Sequence, residues 1–189
     1  MHTYVALLRG INVGGKNLIK MTDLAACFQA LGFSNVHTYI QSGNVIFSTD
    51  ETDQSRLAGS LEEALARTFQ YDASVVLRSL AQMHLIIAQA PDGFGGHPAT
   101  YRYDVIFLKE PLTAADAMQH VRVKEGVDQA FAGDGVLYFS RLISKASQSQ
   151  ITRIISSPIY RQLTIRNWNT STRLLELMEM DNGLIGQDG

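Results

Sequence analysis

A chain of 189 residues, 46% hydrophobic, with 16 Lys+Arg against 18 Asp+Glu and a net charge of −2, can fill one ordinary core or two small ones and lacks the bulk basicity of a typical nucleic-acid binder. Its apolar runs fall short of the roughly 18 residues that a membrane span requires, and its single cysteine, Cys27, excludes an internal disulfide. The first apolar stretch, YVALL, is short for a signal-peptide core and has no basic leader, so the expected setting is the cytoplasm, with no membrane partner.

In chain order, YVALLR (4–9) predicts a strand, followed by a glycine-rich loop and a helix capped by Thr22 with Leu24, Phe28 and Leu31 on one face. VHTYIQSGNVIFST (36–49) predicts two strands around a turn at Ser42-Gly43-Asn44. A second helix runs from about Asp53 to Phe69, then a strand over 73–79 and a short helix begun by Ser79. In the second half, YDVIFL (103–108) predicts a strand and Thr113 with Asp116 a helix start. Weaker strands are expected near 125–132 and 135–140 around the Gly133-Asp134-Gly135 turn. Ser147 and Gln150 predict a capping box before Ile151, YRQLTIR (160–166) a strand, and 169–180 the last helix.

Both halves thus read βαββαβ plus a helix, the order of a split-βαβ, ferredoxin-like sheet. The fold class expected is α+β, as two ferredoxin-like subdomains, 1–90 and 103–189, joined by a linker at 91–102 whose prolines and glycines break regular structure. The repeat is one of pattern, without residue-level similarity.

The first loop, GINVGGKN, begins like a phosphate-cradling P-loop and then departs from it. Asn17 stands where a P-loop needs Ser or Thr for magnesium, the helix starts near Thr22 instead of at the loop, and no doubly wound parallel order surrounds it. Glycine turning alone explains Gly10, Gly14 and Gly15. It leaves unexplained Arg9, Asn12, Lys16 and Asn17, which crowd donors and cations around exposed amides as an anion-binding nest would. The stretch from Met1 to Thr22 carries no Asp or Glu. Neither does Gly135–Leu175, where Arg141, Lys145, Arg153, Arg161, Arg166 and Arg173 fall.

LLRGINVGGKN, YIQSGNVIF and IRNWNT, in that order, resemble a bacterial family known as domain of unknown function 1697. The resemblance spans the chain and implies an α+β fold of two subdomains, but no cofactor and no catalytic residue.

Gln41, Ser42 and Asn44 suit a turn, and could instead present amides beside the glycine loop, since strands one and three are central neighbours in a ferredoxin-like sheet. In RNWNTSTR, Trp168 is either an apolar anchor beside a capping Asn167 or Asn169, or a ring that stacks a base or sugar while Arg166 pairs a phosphate. The aromatic pattern of an RNA-recognition strand is missing, and strand one offers only Tyr4. The five histidines are scattered without metal spacing, Cys27 sits in an apolar helix, and Ser144-Lys145 is not an S-x-x-K motif.

The expected function is binding of a phosphorylated or otherwise anionic, nucleotide-like small ligand, with no cofactor. The candidate contacts are Arg9, Asn12, Gly14, Gly15, Lys16, Asn17, Gln41, Asn44, Arg166, Asn167 and Trp168. The alternative is a nucleic-acid-binding or protein-interaction module without catalytic activity. The residues designate no catalytic group; were there turnover, electrostatic positioning of a phosphate suits them better than nucleophilic or metal chemistry.

Overall fold

The structure, a computed structural model, describes residues 1–12, 18–70 and 72–183. It divides into two compact units, Met1–Met83 with Arg173–Gly189, and His84–Thr172. The segment 91–102, expected as a linker, therefore belongs to the second unit, and the C-terminal helix contributes to both.

The first unit contains β1 (His2–Leu8), α1 (Met21–Ala30), β2 (Ser34–Tyr39), β3 (Asn44–Thr49), α2 (Gln54–Phe69) and β4 (Val75–Ser79). Its sheet runs β2-β3-β1-β4 with every neighbour antiparallel, the ferredoxin-like order. Strand side chains alternate between faces. Tyr4, Ala6 and Leu8 of β1 thus share one face with Val45 and Phe47 of β3, and pack with Leu24 and Phe28 of α1 and Leu57, Leu61 and Leu65 of α2. The Phe28, Phe33 and Phe47 rings interlock with centroids 4.6–6.2 Å apart. Asp53 caps α2 through the Arg56 N–H at 3.0 Å. Thr22 does not cap α1: the helix begins at Met21, with Lys20 at the cap position and no side-chain bond there.

The second unit repeats the plan with β5 (Tyr101–Leu108), α4 (Ala114–Gln119), β6 (Asp128–Ala132), β7 (Val136–Leu142), α5 (Ile151–Ile155) and β8 (Leu163–Asn167), ordered β6-β7-β5-β8 and antiparallel throughout. Ile106, Leu108, Leu137 and Phe139 meet Ala117, Val121, Ile151 and Ile154 in its core. Thr113 caps α4 as expected. The Ser147–Gln150 capping box does not form. Residues Ile143–Gln148 turn as a 3-10 helix, and the Gln150 backbone N–H donates 2.8 Å to the carboxylate of Asp128 on β6. A buried carboxylate from another element accepts the N–H expected to pair with Ser147. The expected strand at 160–166 shortens to β8, because Pro158 opens a 3-10 turn over Pro158–Gln162.

The repeat of pattern extends to individual backbone bonds. Leu8 N–H donates to Gly43 O and Leu108 N–H to Gly135 O; Arg9 N–H donates to Ser74 O and Lys109 N–H to Gln162 O. Arg78 stands opposite Val5 as Arg166 stands opposite Val105. One residue after each arginine a helix is capped. Ser79 exchanges bonds with Gln82 at the start of α3 (Leu80–Ala88), and Asn167 Oδ1 accepts the Thr170 N–H at 2.7 Å at the start of α6 (Trp168–Asp181). None of the described helices is long and apolar enough to cross a membrane.

Candidate functional site

At one end of the first sheet, the loop after β1 and the turn before β3 touch, as the central β1–β3 pairing requires. The Leu8 N–H donates to Gly43 O at 2.8 Å, and a Cβ on Gly43, at φ +74°, would fall 2.7 Å from Ile11 Cδ1. Both counts favour glycine there. Asn12, itself at φ 53°, accepts the Ile19 N–H at 2.8 Å and donates Nδ2 to the carbonyls of Ile19 and Gln41, each at 2.9 Å. It ties Ile19 to the carbonyl of Gln41 in the turn. Asn44 is fully buried, and its Nδ2 donates to Tyr39 O at 3.0 Å and Ser42 Oγ at 3.1 Å. These two amides hold the exposed Ile40 at φ 49°, a conformation costing a β-branched residue about 1–2 kcal/mol. Gln41 is exposed beside it and Arg9 half-buried. Gly14, Gly15, Lys16 and Asn17 lie outside the described residues.

Trp168, the third landmark, stands in the second unit. Its ring meets Phe94 edge-on, centroids 5.1 Å apart and planes at 87°, and Phe94 also packs against Tyr103 and Tyr138. Gly95, at φ +85°, lies so close that a Cβ would sit 2.3 Å from Trp168 Nε1. The proline- and glycine-bearing segment is therefore a folded wall. Its backbone turns back on itself through Phe94 N–H to Pro91 O and Gly96 N–H to Gly93 O, and His97 O accepts the N–H of Tyr101 at the start of β5.

Beside this wall the sheet has an open edge. β8 pairs with β5 only from Asp104 to Leu108, and the chain then turns into α6. Tyr101–Tyr103 thus lies beyond the pairing, and a cleft of about 300 Å³ opens there, lined by Pro98, Tyr101, Arg102, Tyr103, Ile143, Asn167, Trp168 and Asn169. Of the expected contacts, Asn167 and Trp168 line it. Arg166 is not among them: it is 7% exposed, and its Nη1 donates to Thr164 Oγ1 and to the Ile165 carbonyl, each at 2.9 Å. Strand alternation puts Arg166 and Asn167 on opposite faces.

The charge lining the cleft is the exposed Arg102. It lies directly across from Arg141 on β7, an arrangement that repels. The repulsion is offset by Asp104, whose Oδ2 is 3.5 Å from Arg141 Nη2, and by Asp128 in register with Arg141. Burial raises the Asp104 carboxyl above its ordinary range, against the opposing pull of Arg141 and Arg102. Among the described residues no group of three or more His, Cys, Asp or Glu is placed to hold a metal ion.

The family model for proteins of unknown function designated DUF1697 matches residues 1–138. The chain belongs to this family. The match contains the first two landmark motifs and ends before the third, IRNWNT. A solved structure, the conserved bacterial protein SP0830 from Streptococcus pneumoniae, superposes with a TM-score of 0.81 at 26% identity, covering 94% of this chain and 98% of that one. No curated protein matches the chain. For this DUF1697 member the likeness supports the two-sheet α+β fold. Sequence reasoning missed Tyr101, Arg102, Tyr103 and Asn169 in the cleft. The alternation YRY placed against GFGGHP was the available signal, and it was hidden by reading 91–102 as linker and β5 as starting at Tyr103.

Proposed function

We propose that the cleft at the open edge of β5 binds a phosphorylated, ring-bearing small molecule, nucleotide-like in its chemistry. The observation that carries this reading is that the cleft at the unpaired edge is lined by Tyr101 from one face of β5 and by Arg102 from the other, with Trp168 beside them. Aromatic faces accept a planar or sugar ring, a guanidinium pairs a phosphate in a charge-assisted bond, and the exposed amides of Asn167 and Asn169 offer orienting hydrogen bonds. The anionic ligand expected from the glycine loop is thereby reassigned to the second unit, with Arg102 taking the role expected of Arg166. Asn12 and Asn44 are assigned to building the loop end of the first unit. The reading is one of binding and invokes no cofactor.

Trp168 is the chain's one tryptophan, so its emission reports on the cleft directly. Titration with ADP should change that emission saturably, and Arg102→Ala should weaken the affinity about tenfold or more, the usual worth of a hydrogen bond to a charged group. An emission unchanged by ADP, AMP and inorganic phosphate at millimolar concentration would overturn the reading.

A further inference from the structure

A second cleft of about 250 Å³ adjoins the first across the Tyr101–Tyr103 pair, which lines both. The two rings are 6.1 Å apart and alternate along β5, so they share one face of the sheet. On the far side stand Asp92, His97, Gln129 and Phe131. Phe131, on the edge strand β6, is 43% exposed and offers this cleft an unburied aromatic ring. Ligand pockets for small molecules usually run from about 300 to 1,000 Å³. The first cleft is at that lower bound and the second below it, whereas the pair lies within the range.

The two differ in charge. Arg102 faces the first cleft, while the second carries Asp92 and no lysine or arginine. A second phosphate would meet the Asp92 carboxylate there, which disfavours a nucleic-acid strand whose phosphates repeat at every residue. Aromatic walls beside a carboxylate, an imidazole and a carboxamide instead match the hydroxyls and apolar faces of a sugar ring.

We propose that the second cleft is a subsite for an uncharged polyhydroxylated ring joined to the phosphorylated group held in the first, so that the ligand is a nucleoside-diphosphate-linked sugar or a compound of that chemistry. This inference rests on the reading of the first cleft. The experiment compares ADP with ADP-ribose and UDP with UDP-glucose by Trp168 emission and by calorimetry, on the whole chain. In at least one pair the sugar-linked member should bind about tenfold more tightly than its parent. Phe131→Ala and, separately, Gln129→Ala should remove that gain and leave the parent's affinity unchanged; both side chains are exposed, so neither substitution threatens the core. Equal affinities within both pairs, or a gain that survives both substitutions, would overturn the second subsite while leaving nucleotide binding in place. Tighter binding of a short single-stranded oligonucleotide than of any sugar nucleotide, falling steeply with salt, would overturn it in favour of a strand. No binding by any of these would bring down both readings together.

Discussion

Gly95→Ala perturbs the cleft without replacing a charged or hydrogen-bonding side chain. Two costs follow from the geometry. The backbone at φ +85° disfavours any L side chain, worth about 1 kcal/mol. The new Cβ would lie 2.3 Å from Trp168 Nε1 and 2.4 Å from Cδ1, where ordinary contact begins near 3.4 Å, so the indole must shift by about an ångström. Overpacking of that kind costs about 1–3 kcal/mol. The sum, about 2–4 kcal/mol, corresponds to a fall in Tm of about 4–16 °C for a chain of this size. Gly93→Ala is the matched control, because Gly93 has φ +76° and nothing within 4 Å of its Cβ position. It should lose only the backbone share. Thermal unfolding by circular dichroism gives both values, and Trp168 emission should shift in Gly95→Ala alone. Equal destabilisation by the two substitutions, with the same emission spectrum, would refute the packed wall from which the cleft is derived.

Asn12→Ala should lose three hydrogen bonds and force alanine into φ 53°, costing about 2–4 kcal/mol, whereas Asn12→Gly should recover about 1 kcal/mol of that; urea titration of the two separates bonding from backbone strain. The Tyr138 hydroxyl donates 2.6 Å to the Ile86 carbonyl in the last turn of α3, and burial, with a smaller push from Asp134, raises its pKa to about 12. Its stabilising share is therefore complete below pH 10 and is lost as pH rises through 12. Tyr138→Phe should flatten that window and cost about 1–3 kcal/mol at neutral pH, because the buried carbonyl loses its donor. Asp104 also has a raised pKa, so its ionisation above 3.8 weighs against the fold. Asp104→Asn should accordingly gain on the wild type between pH 3 and pH 7, as measured by chemical denaturation at both.

Periodicity carried the architecture. The apolar run YVALL, the β-branched and aromatic NVIF, the helical spacing of Leu57, Leu61 and Leu65, and the Thr113 start are local signals, and each became the expected element. The failures are long-range. Asp128, 22 positions before Gln150, accepts the Gln150 N–H just ahead of α5, and no local pattern announces an acceptor supplied from another strand. Pro158 shortened β8 by imposing a turn on residues whose side chains favour a strand. The site was legible in part. Trp168 and Asn167 were marked by their own chemistry, and the contact between the glycine loop and the Ser42-Gly43-Asn44 turn followed from strand order. Arg166, expected to pair a phosphate beside Asn167, lies on the opposite face of β8 and is buried, donating to Thr164 and to the Ile165 carbonyl. Tyr101 and Arg102 escaped notice because a glycine-rich segment reads as flexible until an aromatic side chain such as Phe94 is seen to pin it against Trp168, Tyr103 and Tyr138.

The central claim, that the open edge of β5 beside Trp168 holds a phosphorylated ring, is tested most directly by the indole N–H resonance of Trp168, a single peak in the ¹⁵N-correlated spectrum. Addition of ADP should move that peak saturably together with the Arg102 and Tyr103 amides, and Arg102→Ala should shift the midpoint to about tenfold higher ADP. A Trp168 peak that stays fixed while ADP perturbs residues elsewhere, or perturbs none, would contradict the account.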